Sequence, residues 1–415
     1  MRQYLVVLLA LVAPAAAALP MGGDDARHLL NRSIFGPTVA EIAEFSALSR
    51  QEAVDRLLTP VPGEPRTPIP PELTEYVKPS MLRDLPPEQR ERAQKEMHQR
   101  GLELRAWWLA EMLAAPTPAA ALRERMTLFW HNHFVSSQQK VKSVKLMLDQ
   151  NLLLRRYALG SFGELLHAVG KDPAMLVYLD TAASRKEQPN ENFAREVMEL
   201  FTLGEGHYHE TDIKEAARAF TGWSIEPATG AYRWRPFIHD RDVKTVLGRR
   251  GDFDGDDVLD ILLARRETAE FVTAKLWREF VSPTPDSREV ARIAARFRDS
   301  GYDIRTAMRE LLLSPAFWAP ENRLALTKSP VDLVVGTWRT SELPGADLKP
   351  AVHALRAMGQ DLFAPPNVKG WPGGEAWIDA NTLLLRKQFV ERIAQTPRFM
   401  VPGRNDMLDP RYQLK

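Results

Sequence analysis

Along most of the chain apolar residues recur at intervals of three and four positions, the spacing that lines one face of an α-helix. Thr38-Val39-Ala40-Glu41 and Ser49-Arg50-Gln51-Glu52 have the spacing in which a hydroxyl and a carboxylate each satisfy a free amide at a helix start. Prolines crowd positions 59–71. They remove amide donors and fix φ, so this stretch is predicted to be an extended connector outside the core. A long helix is predicted from Pro86-Pro87 to about Ala114, and Thr117-Pro118 supplies a cap and a first-turn proline for the next. Helical spacing continues over 141–159 up to Gly160, over 192–203 up to Gly204, and from Asp212 to about Gly222. Glycine tolerates the left-handed conformation that ends a helix.

Between 223 and 251 the pattern breaks into short aromatic stretches interrupted by Pro236 and glycines, which predicts a small β-hairpin or irregular excursion. Helical periodicity returns over 257–280, 288–299, 304–314 and 330–343, and after a loop at 359–374 over 379–395. No fixed-period repeat interrupts this order. A parallel α/β sheet would need buried β-branched runs between the helices, and the sequence lacks them. The expected fold is mainly α: a single large multi-helix domain over 19–415 with a small insertion around 223–251.

The N-terminus changes the picture. Arg2 precedes an apolar run from Tyr4 to Val12, then Pro14 and the small residues Ala15 to Ala18. That is the order of a secretory signal, with cleavage after Ala18. The run is too short to cross a bilayer, which needs about 20 residues. The single Arg suits the general secretory route over a twin-arginine one. The expected location is therefore periplasmic or secreted, with no transmembrane anchor after cleavage. Lys and Arg total 55 against 54 Asp and Glu, so no overall field favours polyanions and nucleic acid is not an expected partner. The chain has no Cys, which excludes disulfides, thiolate nucleophiles, Cys-ligated zinc and iron–sulfur clusters. The serine-hydrolase elbow, the phosphate-binding glycine loop, the dinucleotide fingerprint and His-Glu-x-x-His are likewise absent.

Candidate chemistry falls in four places. In Pro189-Asn190-Glu191-Asn192-Phe193-Ala194-Arg195-Glu196-Val197-Met198-Glu199-Leu200-Phe201-Thr202-Leu203-Gly204, Asn192, Glu196 and Glu199 share one helix face beside an apolar stripe. Arg195 is spaced to pair with Glu191 or Glu199. Two readings are open: a solvated face of ordinary ion pairs, or a carboxylate pair serving as acid and base or as metal ligands, since close carboxylates in apolar surroundings raise each other's pKa. Arg218, near Glu215 on the following helix, is a catalytic candidate alongside Asn192, Glu196 and Glu199, or else a brace in an Arg–carboxylate network between the two helices. In Trp130-His131-Asn132-His133-Phe134, His131 and His133 can chelate a metal only if the backbone is extended. In a continuing helix they diverge by roughly 200°, leaving His133 facing the core.

His239-Asp240, with His207, His209 and Asp242 nearby in sequence, reads either as an oriented base or ligand pair or as a turn. The run 252–257 lacks the residues of a calcium loop and is predicted to hold a helix cap at Asp256 or Asp257. The loop 359–374 and the residues after it carry Trp371 and Trp377, which either stack on sugar rings or a partner when exposed, or close the core when packed.

Taken together these stretches resemble the bacterial domain-of-unknown-function 1800 family. The matching motifs are His28-Leu29-Leu30-Asn31-Arg32, Phe35-Gly36-Pro37-Thr38, Met126 to Phe134, Asp172 to Asp180 and Pro189 to Gly204, followed by Glu215 to Trp223, His239-Asp240 and Pro365 to Gly374. Val197 stands where that family more often has Leu. The resemblance implies an exported bacterial protein whose gene often lies beside one for a sulfatase- or phosphatase-like exported protein (domain of unknown function 1501). It supplies no catalytic residue set. Three functions are therefore expected in competition. The first is a hydrolase, acid–base or assisted by a divalent metal, acting on an envelope or extracellular polymer. The others are a non-catalytic partner of such a sulfatase- or phosphatase-like protein, and a carbohydrate-binding protein.

Overall fold

The computed structural model describes residues 19–78, 81, 84–341 and 347–395, so the predicted signal segment 1–18 lies outside the described residues. At the centre runs the Pro118–His133 helix, in which Ala119 to His131 and His133 are all buried. The helices Gly22–Ser33, Arg50–Leu57, Pro87–Leu113 and Val144–Tyr157 pack around it. Its start is the one the sequence signals: Thr117 accepts from the Ala120 amide at 3.2 Å, and Pro118 occupies the first turn. Both predicted capping boxes, at Thr38 and Ser49, form.

A helix buried on all sides must neutralise its charges internally. Glu124 accepts from Arg155 Nε at 2.9 Å and Nη2 at 2.8 Å, and neither side chain reaches solvent. Arg125 reaches Asp332 at 2.5 Å and Glu279 at 3.0 Å, binding the central helix to Pro330–Thr340 and Arg266–Phe280. The proline-rich connector is irregular until a short 3-10 turn at Pro71–Leu73, but it is pinned to the core. The amides of Arg66 and Thr67 donate to the buried Glu111 carboxylate at 2.8–3.0 Å.

One continuous apolar core extends from Ala26 to Val390. The insertion forms two small antiparallel hairpins where one was expected. Trp223–Ile225 pairs with Tyr232–Trp234, and Lys244–Val246 with Arg249–Gly251, on either side of a 3-10 turn at Pro236–Ile238. The predicted helix over 257–280 is two helices, Gly255–Leu263 and Arg266–Phe280, because Arg265 is extended and Thr268 Oγ1 takes the Leu262 carbonyl. Its cap is Asp254, two or three residues earlier than the predicted Asp256 or Asp257, accepting from both of their amides at 2.9 and 3.1 Å. The predicted helix over 192–203 is α-helical only at Asn192–Glu196 and continues as a π-turn, Val197–Thr202.

Candidate functional site

The π-turn organises the region around the acidic segment. Its wider loop is closed by Leu203 N donating to Met198 O at 2.8 Å and Thr202 Oγ1 donating to Val197 O at 2.5 Å. At its end Gly204 has φ +82, and an added Cβ there would lie 2.9 Å from the Phe271 ring. A π-turn swings carbonyls away from the ordinary helical ladder, and these need other donors. Lys275 Nζ donates to Leu200 O at 2.9 Å, and His133 Nε2 lies 3.1 Å from Phe201 O. A carbonyl only accepts, so Nε2 carries the imidazole proton and Nδ1 is left to accept from Lys275 Nζ at 3.2 Å. His133 is thus a neutral core histidine, its pKa held well below the ordinary value by burial and then by the Lys275 charge. Lys275 is part-buried, has no ion pair among the described residues, and titrates at about 8 because burial disfavours its charge. Sequence spacing gave no signal for Lys275, which reads there as one more helical lysine.

The acidic face lies on the outer side of the same segment. Glu196 is half-buried and makes no hydrogen bond or ion pair among the described residues. Burial, and after it the charge of Glu199, raises its pKa. Glu199 accepts from Tyr208 Oη at 2.7 Å. Asn192 Nδ2 reaches Asp180 Oδ2 at 3.3 Å, and Lys140 Nζ donates to the same carboxylate at 2.7 Å. Asp180 sits at φ +59, a left-handed conformation that short polar residues tolerate best. Lys140 also lies over the Tyr178 ring at 5.7 Å, and Glu196 raises the Tyr178 pKa beyond the effect of burial. Lys369 lowers the Glu196 pKa slightly and pairs with Glu205 at 3.6 Å. So Asn192, Glu196 and Glu199 come together with Tyr178, Asp180, Tyr208 and Lys369. Beside them, past the end of the π-turn, a cleft of about 280 Å³ is lined by Leu203, Gly204, Glu205, His207, Glu267, Glu270 and Phe271.

Arg218 does not join this face. Its guanidinium is held by Asp240 at 2.7 and 3.2 Å and by Glu215 at 2.9 and 3.0 Å, bracing its own helix against the insertion. The bridge between the two helices runs instead through Arg195, which pairs with Glu210 at 2.7 Å and with Glu191 at 3.3 Å. The proposed metal ligands also separate. The backbone stays helical through His133, so His131 turns to the opposite side, where it packs on Trp108, Phe363 and Trp371. There its pKa falls to about 3 through burial and the nearby Arg105. His239 Nδ1 contacts Thr221 O at 2.8 Å, and Asp240 is committed to Arg218. Among the described residues no three His, Asp or Glu side chains stand where one ion could take them all.

Trp371 and Trp377 are buried, 4% and 7% exposed, so of the two readings it is the packed one that they adopt. Trp371 is drawn in because Asn132 closes on its backbone from both sides, accepting from its amide at 2.7 Å and donating to its carbonyl at 3.3 Å. Gly370 permits that approach: its φ is +82, and a Cβ there would sit 2.2 Å from Asn132 Oδ1. The central helix thereby fixes the loop that presents Lys369 to the acidic face.

The fold and this site define a class: a mainly helical protein with a carboxylate-bearing π-turn laid against a central buried helix. Residues 28–413 match the model of the protein family of unknown function DUF1800, and the chain belongs to that family. No curated protein and no solved structure matches it.

Proposed function

We propose that the protein is an exported hydrolase acting by acid–base catalysis on an envelope or extracellular polymer, with Glu196 and Glu199 as its two working carboxyls. The observation that carries this reading is Glu196 itself: a half-buried carboxyl with no hydrogen bond or ion pair among the described residues, beside a second carboxylate that Tyr208 orients. An unpartnered carboxyl in such surroundings has a raised pKa, which favours the protonated form that a general acid needs. Export is read from the order of residues 1–18.

In this mechanism Glu196 donates its proton to the leaving group as the scissile bond breaks. Glu199 accepts a proton from water, whose oxygen forms the new bond to the electrophilic carbon. Transfer of that proton from Glu199 back to Glu196, through solvent, restores the starting state. Asn192, bonded to Asp180, and Lys369, paired with Glu205, bind polymer beside the pair in this reading, and the cleft past Gly204 takes a neighbouring residue of the polymer. The divergence of His131, His133, His239 and Asp240 favours the metal-independent form of the reaction.

The test is release of new chain ends from isolated envelope polymer by wild type, Glu196→Gln and Glu199→Gln. Each variant is expected to lose about 10²- to 10⁴-fold in rate while unfolding as cooperatively as wild type. Activity is expected to fall on the alkaline side as Glu196 ionises, and to survive chelation. An active Glu196→Gln protein, or a wild type inert on every envelope fraction, ends the proposal.

A further inference from the structure

A second surface, in the insertion, is built to meet something other than water. Phe237 is 71% exposed, Val243 50% and Trp234 38%. They are carried on one short loop whose base is tied at several points. The Trp234 ring packs on His239 at 4.9 Å and lies over Gly222, where an added Cβ would meet it at 2.7 Å. Thr221 Oγ1 accepts from the Asp240 amide at 2.8 Å, Arg218 grips the Asp240 carboxylate, and the Lys186 amide donates to Ile238 O at 2.9 Å. The aromatic tip is thus held out by a preformed scaffold, which gives the Arg218–Asp240 unit a task remote from the acidic face.

Along the segment itself the charges are one-sided. Between 233 and 250 there are six basic residues and two acidic ones, against a balance of +1 for the whole chain. Asp240 is already neutralised by Arg218, and Arg233 by Glu226. Arg235, Arg241, Arg249 and Arg250 have no carboxylate within ion-pair distance among the described residues, and Arg235 Nε is buried without a partner. Solvent-exposed Arg flanking exposed aromatic and aliphatic side chains matches the interface of an anionic bilayer. Phosphates there take the guanidinium groups, and the apolar tip enters the headgroup layer. An anionic polysaccharide would satisfy the arginines but offers no apolar layer for Phe237 and Val243.

We propose that the 233–250 insertion docks the protein on an anionic phospholipid surface, with Phe237 and Val243 inserted and the exposed Arg241, Arg249 and Arg250 on the headgroup phosphates. The proposal is independent of the catalytic reading, since none of these residues lies on the acidic face. Sedimentation of the purified full chain with phosphatidylcholine vesicles, with and without about 30% phosphatidylglycerol, tests it. Wild type is expected to pellet with the anionic vesicles only, and to be released as salt rises from about 0.1 to 0.5 M. The double variants Phe237→Ser/Val243→Ser and Arg241→Glu/Arg250→Glu alter exposed side chains, and each is expected to weaken binding about tenfold or more with unchanged unfolding midpoints. A retained leader would contribute equally to all three proteins.

Absence of binding, equal binding to neutral vesicles, or binding that persists in both variants overturns the proposal. Binding that needs the arginines but not Phe237 and Val243, and that a soluble anionic polysaccharide displaces, also overturns it and assigns the surface to a polyanion. Pull-down of a protein partner that needs Phe237, with no vesicle binding, assigns it to a protein interface.

Discussion

Replacing Lys275 with Met keeps the length and apolar stem of the side chain but removes its charge. In the folded protein Lys275 stays charged only to about pH 8, against an ordinary 10.5, because burial disfavours the ammonium and Arg278 adds to the effect. Holding that charge in the fold at neutral pH costs about 3 kcal/mol, at roughly 1.4 kcal/mol per decade of the gap. The variant relieves this but leaves Leu200 O and His133 Nδ1 without their donor, a loss of about 1–3 kcal/mol for each buried group. At pH 7 the two effects nearly cancel, so a single measurement there decides nothing.

The pH dependence does decide. A base whose folded pKa is depressed destabilises most at pH values below that pKa, and the penalty fades as pH rises toward the unfolded value. Wild type should therefore gain about 2 kcal/mol over Lys275→Met between pH 7 and pH 9.5. Urea unfolding of both proteins at several pH values in that range measures the difference directly, since the other alkaline groups are common to both. Parallel stability curves would show that Lys275 titrates normally. The π-turn would then not be capped by a desolvated lysine.

Glu196→Gln is expected to raise the unfolding temperature at pH 8 and to leave it unchanged near pH 4. Its raised folded pKa means the penalty is absent below the unfolded pKa and complete above the folded one; equal shifts at both pH values would contradict this. Glu124→Gln leaves Arg155 charged and enclosed, so a loss of about 3–5 kcal/mol is expected in equilibrium denaturation. Asn132→Ala and Gly370→Ala each release the loop at Trp371. Both should speed hydrogen exchange over 365–374, and Asn132→Ala should cost about 1–3 kcal/mol through the donors and acceptors it strands.

Much of the fold was legible because helix signals are local. Thr38, Ser49 and Thr117 cap helices through atoms only three residues away, so their spacing alone announces them. The 223–251 break was legible as a loss of periodicity, but its division into two hairpins depends on Thr221 and Gly222 packing against Trp234 and His239, which no local pattern encodes. The sequence spacing placed Asn192, Glu196 and Glu199 together, and they are together. It gave no sign of Tyr178, Asp180 and Tyr208 beside them.

By itself the sequence determined the helical class and the course of the longer helices, though not Phe162–Gly170, Pro173–Tyr178 or Lys349–Ala357, and through the motifs at 126–134, 172–180, 189–204 and 365–374 it determined family membership. These rest on periodicity, capping and composition, each a property of neighbours in the chain. Tertiary structure decided which polar residues work and which brace. Arg218 chose Asp240 over the acidic helix, and His131 and His133 were parted by the helix that carries them. Trp371 was pulled inward by Asn132, and a π-turn came to rest on Lys275. Those outcomes turn on desolvation and on hydrogen-bond partners brought from as far as 239 positions away, and burial is a property of the assembled core that no single segment possesses.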